Sequence, residues 1–398
     1  MGFQRKSSGI IKSFSSLDIF SINLLYMGIL SGISYPLFVS EMMKNVNLLF
    51  AVLIGAIFEI PLLVMYYILT KKIPLNGGDY AYIRSTFSPK FYTIFGISLW
   101  LIYIFSAPVL TDLVLMNFNI PIFEKFLISE LLFATALLSV SKKTIYAYIV
   151  DGIAILQILV SLILPISSFH FEIQNFTISN TLLSALLFDL SMFLFLNAIS
   201  YIAGEIKNIS KNAKIGYFAS YLVVTVLAVL DSYSNLNILF LLMPIWFMSY
   251  IFVTSMIQSR LIQNLAFDKI LPEKFAKITP NALLLIFVAD TIANILENLL
   301  NFSISFGFDG LLFIFWNFII VSFAFLKLTN NKLLFSIVMI SLILQIFIFF
   351  YLGMQNQIFY NFVIEGNIIY AILRIVIMPI IGGIMYLIRR KVINAELK

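Results

Sequence analysis

The residues able to do chemistry in this sequence are few, and most lie inside long apolar runs. The first group is Gly28-Ile29-Leu30-Ser31-Gly32-Ile33-Ser34-Tyr35-Pro36, a cluster rich in helix-disfavouring residues within a stretch otherwise apolar enough to form one helix. A break there frees backbone groups: a half-helix N-terminus attracts a carboxylate, and freed carbonyls bind a cation. The cluster also reads as a packing kink whose small residues let helices approach closely. A second group is Thr254-Ser255, two hydroxyls whose oxygens suit a hard cation. In membrane helices such hydroxyls also bond back to a carbonyl of the preceding turn. Asp290, Asn294, Glu297 and Asn298 recur at helical spacing as one polar face, and Arg374 stands within an apolar run. An ionisable group at mid-helix costs roughly 2.5–3.5 kcal/mol even on the lenient insertion scale. We therefore expect Arg374 to pair with Glu297 or Asp290, the alternative being that each snorkels separately to the interface.

Other chemistries are excluded by what the chain lacks. There is no cysteine, hence no disulfide-linked partner, no thiolate-ligated haem and no Cys-held cluster. His170 is the one histidine and is read as an ordinary loop residue, so no metal site is expected, since such a site takes three or four ligands. No GxxxxGK[ST] loop is present, so any transport is driven by gradients and not by nucleotide hydrolysis. Polar residues are scattered among different helices without a titratable cluster at one depth, and an enzyme is not expected. Nor is a channel, which would show a ring of like acids or a carbonyl filter.

The elements that must position these groups are membrane helices. Of 398 residues, 61% are hydrophobic and 11% charged, against about 25% charged in soluble domains. The apolar residues fall in runs of about twenty, enough to carry a helix across roughly 30 Å of hydrocarbon. Spans are expected at 18–40, 46–70, 91–118, 124–140, 145–168, 181–203, 214–231, 236–258, 282–300, 307–327, 333–353 and 367–388, twelve in all. With the N-terminus inside, 22 of the 25 Lys and Arg residues fall in inner segments, Lys44 and Lys125 fall outside, and Arg374 lies in the last span. The net charge of +6 is thus a topology signal and not a nucleic-acid signal. Both termini are expected in the cytoplasm, with 1–17 and 389–398 as tails and no cleaved signal peptide. The longest connectors are about twenty residues, so no soluble domain is expected.

Three stretches resemble the amino acid, polyamine and organocation permease superfamily. Ser31-Gly32-Ile33 looks like the latter part of that family's G-S-G-I turn in span one, with Leu30 where the first glycine is usual. Pro74-Leu75-Asn76-Gly77-Gly78-Asp79-Tyr80-Ala81-Tyr82 is similar to its P-x-x-GG-x-Y-x-Y signature between spans two and three. Gly204-Glu205-Ile206-Lys207-Asn208, Ser259-Arg260 and Asp268-Lys269-Ile270-Leu271-Pro272 look like its E-x-K-N and SR…DxxLP inner-loop patterns. The resemblance covers roughly the first 280 residues. It implies one all-α transporter domain with the LeuT-like inverted repeat: 18–168 as the first five-helix unit, 181–327 as the second, helices one and six broken, and 333–388 as two peripheral helices.

The resemblance also implies a site. The backbone amides of Ser31, Gly32 and Ile33 would hold a substrate carboxylate. Counting back from Glu205 aligns Phe193-Leu194-Phe195-Leu196-Asn197-Ala198 with a family stretch that usually contains a glycine and often an acid, neither of which is present. Phe193, Phe195 and Asn197 are the candidate substrate contacts there. Asn197 offers an amide to the substrate or to freed backbone, or alternatively hydrogen-bonds a neighbouring helix. Loss of the acid favours a neutral amino acid, Asp189 being the nearest carboxylate on the same span. Thr254 and Ser255 match hydroxyl pairs that bind Na⁺ in sodium-coupled relatives. Some proton-coupled members carry a lysine in span five, to which Gln157, a residue that does not titrate, is the nearest comparable one here, and Asp151 is a proton-relay candidate near the inner end of its span. The expected function is a secondary permease for amino acids in the cytoplasmic membrane, without cofactor, coupled to H⁺ or Na⁺. The alternatives are a non-transporting amino acid sensor on the same fold and a polyamine or organocation permease.

Overall fold

The computed structural model describes residues 12–115, 120–168, 176–234, 236–278, 280–296, 306–363 and 368–395. His170, Glu297 and Asn298 lie outside them, as do the side chains of Ser31, Gly32 and Arg374, so the Arg374 pairing with Glu297 or Asp290 does too. Within the described residues every interval named above carries helix. In chain order the helices are α1 Ser16–Met27, α2 Ile29–Met43, α3 Leu48–Lys72, α4 Asp79–Arg84, α5 Pro89–Leu115, α6 Ile122–Val140, α7 Lys143–Ser168, α8 Ile178–Phe188, α9 Ala198–Tyr201, α10 Ile209–Lys214, α11 Ser220–Asp231, α12 Leu236–Phe267, α13 Pro280–Asn294, α14 Phe306–Thr329, α15 Lys332–Phe347, α16 Gly353–Gln355, α17 Gln357–Val363 and α18 Ile368–Ala395. Among the described residues there is no strand beyond an isolated bridge of Phe14 to Ile206.

Five continuous stretches, Leu48–Lys72, Lys143–Leu164, Ile178–Tyr201, Ile209–Asp231 and Lys332–Gln355, are long and apolar enough to cross a bilayer. The protein is a multi-pass, all-α membrane protein. Its outer helices present large apolar side chains outward, among them Leu131 and Leu138 of α6, Leu222 of α11, Leu333 and Ile340 of α15, and Ile388 of α18. Lipid satisfies such a surface, whereas on a water-soluble molecule it would form an apolar patch of unusual extent. α1 and α8 occupy the middle: from Ile22 to Met27, and from Leu183 to Phe188, every residue is buried.

Local chemistry sets the ends of these helices. Ser15 caps α1 reciprocally with Asp18, its hydroxyl accepting from the Asp18 N–H while the Asp18 carboxylate accepts from the Ser15 N–H at 2.5 Å. Asn47 caps α3 by accepting from the Phe50 N–H at 3.0 Å, and Asn331 caps α15 through the Leu334 N–H at 3.1 Å. α1 stops at Gly28, whose φ of 66° takes the chain out of the helix while its N–H still reaches the Leu24 carbonyl at 3.0 Å.

Candidate functional site

Among the described residues, two helix interruptions meet. The first is confined to Gly28; α2 resumes at Ile29 and runs through Pro36. The cluster from Gly28 to Pro36 is therefore helical beyond its first residue, because Ser, Tyr and Ile retain their N–H groups and a proline costs a helix one bond without ending it. Ser31 is the third residue of α2, within the first turn whose N–H groups have no intrahelical partner, whereas the Gly32 and Ile33 N–H groups are taken up by the helix's own i→i−4 bonds to Gly28 and Ile29 and are not free for a substrate carboxylate; the Ile33 side chain is fully buried.

The second interruption needs no glycine. Past Phe188 the helix widens into a π-helical turn, Asp189–Phe193, in which the Leu194 N–H reaches the Asp189 carbonyl at 2.9 Å. The chain then leaves helical geometry at Phe195–Asn197 before the single turn of α9. Such a π turn is a common mark of a functional position in a helix. Tyr26, two residues before Gly28, packs edge-on against Phe195 with ring centroids 5.3 Å apart and stacks on Tyr250 of α12 at 5.8 Å. Phe195 in turn meets Tyr250 edge-on at 6.0 Å. Three aromatic rings thus bring the two breaks side by side. Phe193, by contrast, is buried against Tyr221 at 5.4 Å, on α11 and apart from that trio.

Beside the break stands a carboxylate that the linear sequence places in a loop. Asp79 is fully buried, with Tyr66 donating to its Oδ1 at 2.7 Å and Asn197, Tyr201 and Asn317 donating to its Oδ2 at 2.9, 3.2 and 2.6 Å. Burial pushes its carboxyl above the usual range, and these four donors draw it back part of the way. From Asp79 a line of hydroxyls leads to the aromatic trio: Tyr201 donates to Asp79, Tyr103 to Tyr201 at 3.1 Å, and Tyr26 to Tyr103 at 3.3 Å.

The turn preceding Asp79 explains how it arrives there. Gly77 has φ 103° and Gly78 φ 53°, and a Cβ on Gly78 would lie 2.7 Å from Ser200 Oγ and 2.8 Å from the Tyr201 ring. Only glycine allows both the backbone conformation and the approach to α9. The Gly77 N–H also donates to the Tyr201 carbonyl at 3.1 Å, so the turn is pinned to the broken helix. The tyrosines that follow tie it elsewhere: Tyr80 donates to Asp268 at 2.6 Å, and the Tyr82 hydroxyl lies 3.0 Å from that of Thr70.

Towards the end of the molecule that carries Ser13 and Phe14, the motif residues converge on Glu205. Arg260 binds it in bidentate fashion, Nε to Oε1 at 2.6 Å and an Nη to Oε2 at 3.1 Å. Lys143 reaches Oε2 at 2.5 Å and Asn76 donates to Oε1 at 2.7 Å. Burial alone would raise the Glu205 carboxyl, but Arg260 and Lys143 together hold it below the usual carboxylate range. The Glu205 carbonyl accepts from the Ser13 and Phe14 N–H groups at 2.8 and 3.1 Å, laying the chain entering α1 across this lock. Close by, Asp268 pairs with Arg84 at 2.6 Å as well as with Tyr80.

The remaining expected residues are placed as follows. Asn197 bonds a neighbouring element, Asp79, and not freed backbone. Thr254 bonds back to the Tyr250 carbonyl at 2.8 Å, while the buried Ser255 hydroxyl has no hydrogen-bond partner among the described residues. Gln157 donates to Ser249 at 2.7 Å. Asp189 faces Glu59 of α3 and not the aromatic trio. On α13, Asp290 accepts from Gln258 at 3.2 Å and Asn294 donates to Glu130 at 2.7 Å, so this polar face is packed inward. Sequence reasoning passed over Asp79 and Glu59; an acid inside a glycine turn and an acid inside an apolar run were the available signals.

No family model matches the chain. Over 395 residues it is 71% identical to "Uncharacterized protein 399" of Sulfolobus islandicus rod-shaped virus 1, covering 99% of both chains. Among solved structures it is similar to a nucleobase-cation-symport-1 family transporter in a closed conformation with bromovinylhydantoin bound, at TM-score 0.48 and 9% identity over 85% of this chain and 93% of that one.

Proposed function

From the premise that this chain belongs to one family with uncharacterized protein 399 of Sulfolobus islandicus rod-shaped virus 1, we propose that it is a gradient-driven transporter of small amine-bearing solutes, foremost amino acids. The observation that carries this reading is the meeting of two helix interruptions, at Gly28 and at Phe195–Asn197, in the middle of the bundle. Unwound backbone at membrane depth costs several kcal/mol per unsatisfied group unless it lines a cavity or binds something. Transporters spend it on the solute: the N–H groups at the start of α2 would take a carboxylate, and the aromatic faces of Tyr26, Phe195 and Tyr250 would take the amine end.

In this reading the chain crosses the cytoplasmic membrane twelve times with both termini inside, and the spans form the inverted five-helix repeat with two further helices. Alternating access then moves the two repeats about the broken helices. The lock centred on Glu205 closes the cytoplasmic face, which fits its position beside basic segments.

The preference for a neutral solute rested on the absence of an acid from the broken helix. Asp79 supplies an acid from α4 instead, bonded to Asn197 of the broken helix, and an acid beside the break favours a solute with an ammonium group. A zwitterionic amino acid satisfies both the amide end and the acid end of the site, and a polyamine or other organocation is the second reading on the strength of Asp79. The experiment is uptake of a radiolabelled panel of amino acids and polyamines into proteoliposomes under imposed proton and sodium gradients in turn. Accumulation that collapses with one gradient supports the proposal and identifies the ion. Binding without uptake or exchange would instead support the sensor on the same fold.

A further inference from the structure

Glu59 of α3 and Asp189, the first residue of the π turn, are both fully buried and lie within hydrogen-bonding reach of each other. Among the described residues, neither oxygen of Asp189 nor Oε2 of Glu59 has a donor from anywhere else, and Glu59 Oε1 takes a long bond from Gln345 at 3.3 Å. The backbones force this meeting. Gly55, one turn before Glu59, sits so close to α8 that a Cβ there would lie 2.6 Å from the Ala185 carbonyl and 3.3 Å from the Asp189 nitrogen.

No cation compensates the pair among the described residues. From α11 the Tyr221 ring faces it, from α15 Gln345, and α8 carries no charged residue. The charged residue of α2, Glu41, lies near the far end of that helix and is exposed, as is Lys332 at the start of α15. Two bare carboxylates in contact in such a setting repel strongly, and the arrangement that relieves them is a shared proton, one carboxylic acid donating to the other's carboxylate.

We propose that Glu59 and Asp189 are the proton-binding site through which transport is driven. The proposal rests on the transporter reading and adds to it the coupling ion and its residues. Taking a second proton makes the pair two neutral acids joined by hydrogen bonds. Releasing the shared proton makes it two anions that push α3 and the π turn apart. Asp189 opens the very turn that leads to Phe195–Asn197, so a change of charge there acts on the segment that carries Asn197 to Asp79.

Two readouts test this separately from transport as such. Infrared difference spectra of the full-length protein, titrated with acid, are expected to show the C=O stretch of a protonated carboxyl that shifts in D₂O and is changed, in frequency or in the pH at which it appears, in both E59Q and D189N. In proteoliposomes, whichever panel solute the wild type accumulates under a proton gradient should no longer be concentrated by E59Q, while its counterflow between equal pools continues. D189N serves as the second variant should E59Q fail to fold as a monodisperse protein. A carboxyl band unchanged by both variants, or gradient-driven accumulation that survives both, overturns the coupling site while leaving the transporter reading intact. Absence of any uptake or counterflow by the wild type overturns the transporter reading, and with it the coupling role, even if the shared proton is seen.

Discussion

Breaking the Glu205 lock from either side should cost unequal amounts, and the inequality follows from burial. Arg260 and Glu205 are 1% and 0% exposed, whereas the Lys143 side chain is 29% exposed. At an effective dielectric of about 20, unit charges about 4 Å apart attract by about 4 kcal/mol, and removing one member of a buried pair costs about 3–5 kcal/mol because the other stays buried and uncompensated. Glu205→Gln strands the Arg260 guanidinium and is expected at the upper end of that range. Arg260→Met leaves Glu205 with Lys143 and Asn76 and is expected at the lower end. Lys143→Met removes a partner that water can replace, and should cost about 1 kcal/mol or less. Combining Glu205→Gln with Arg260→Met should cost less than the two added together, by about 2 kcal/mol. Equilibrium unfolding of the purified protein in mixed micelles measures all four. Single-variant losses near 0.5 kcal/mol for both Glu205→Gln and Arg260→Met, or strict additivity in the double variant, would refute a closed and dry lock.

Three more outcomes are expected. Because the folded-state pKa of Glu205 lies below its unfolded value of about 4.3, its contribution to stability is fully present above that pH and is lost as pH falls through the folded value. Unfolding midpoints followed from neutral to acid pH should show this loss below about pH 4, and it should be absent in Glu205→Gln. Gly78→Ala sets a side chain at φ 53° and 2.7 Å from Ser200 Oγ, and is expected to destabilise by about 2 kcal/mol or more in the same unfolding assay. Asp79→Asn turns two acceptor oxygens facing four donors into one acceptor oxygen and an NH₂ group that only donates, so initial uptake of the transported solute should fall by about tenfold or more.

Most of the helical layout was legible because hydropathy acts locally: about twenty apolar residues make a membrane helix whatever they pack against. The glycine, serine and proline cluster marked the right helix for a break, yet the break shrank to Gly28, since Pro36 costs one backbone bond and neighbouring helices absorb that. The second break was harder to see because no glycine marks it. It follows a π turn, Asp189–Phe193, which residue type does not mark. The motif at Pro74–Tyr82 could be recognised, but not its destination. Which residue a loop acid meets is decided by contacts 118 and 238 positions away, at Asn197 and Asn317. Thr254 shows the reverse case, a hydroxyl with cation-ligating chemistry that the helix itself consumes through the Tyr250 carbonyl.

The absence of cysteine from the natural sequence makes site-directed labelling a direct test of the central claim that the paired interruptions form a solute site open to each face in turn. Phe195→Cys introduces a single thiol into the unwound segment, and a membrane-impermeant maleimide can be added to either face of sealed vesicles. The account predicts that the thiol reacts from both faces and that the transported solute slows both reactions. A thiol that reacts from one face alone, with or without solute, would contradict it.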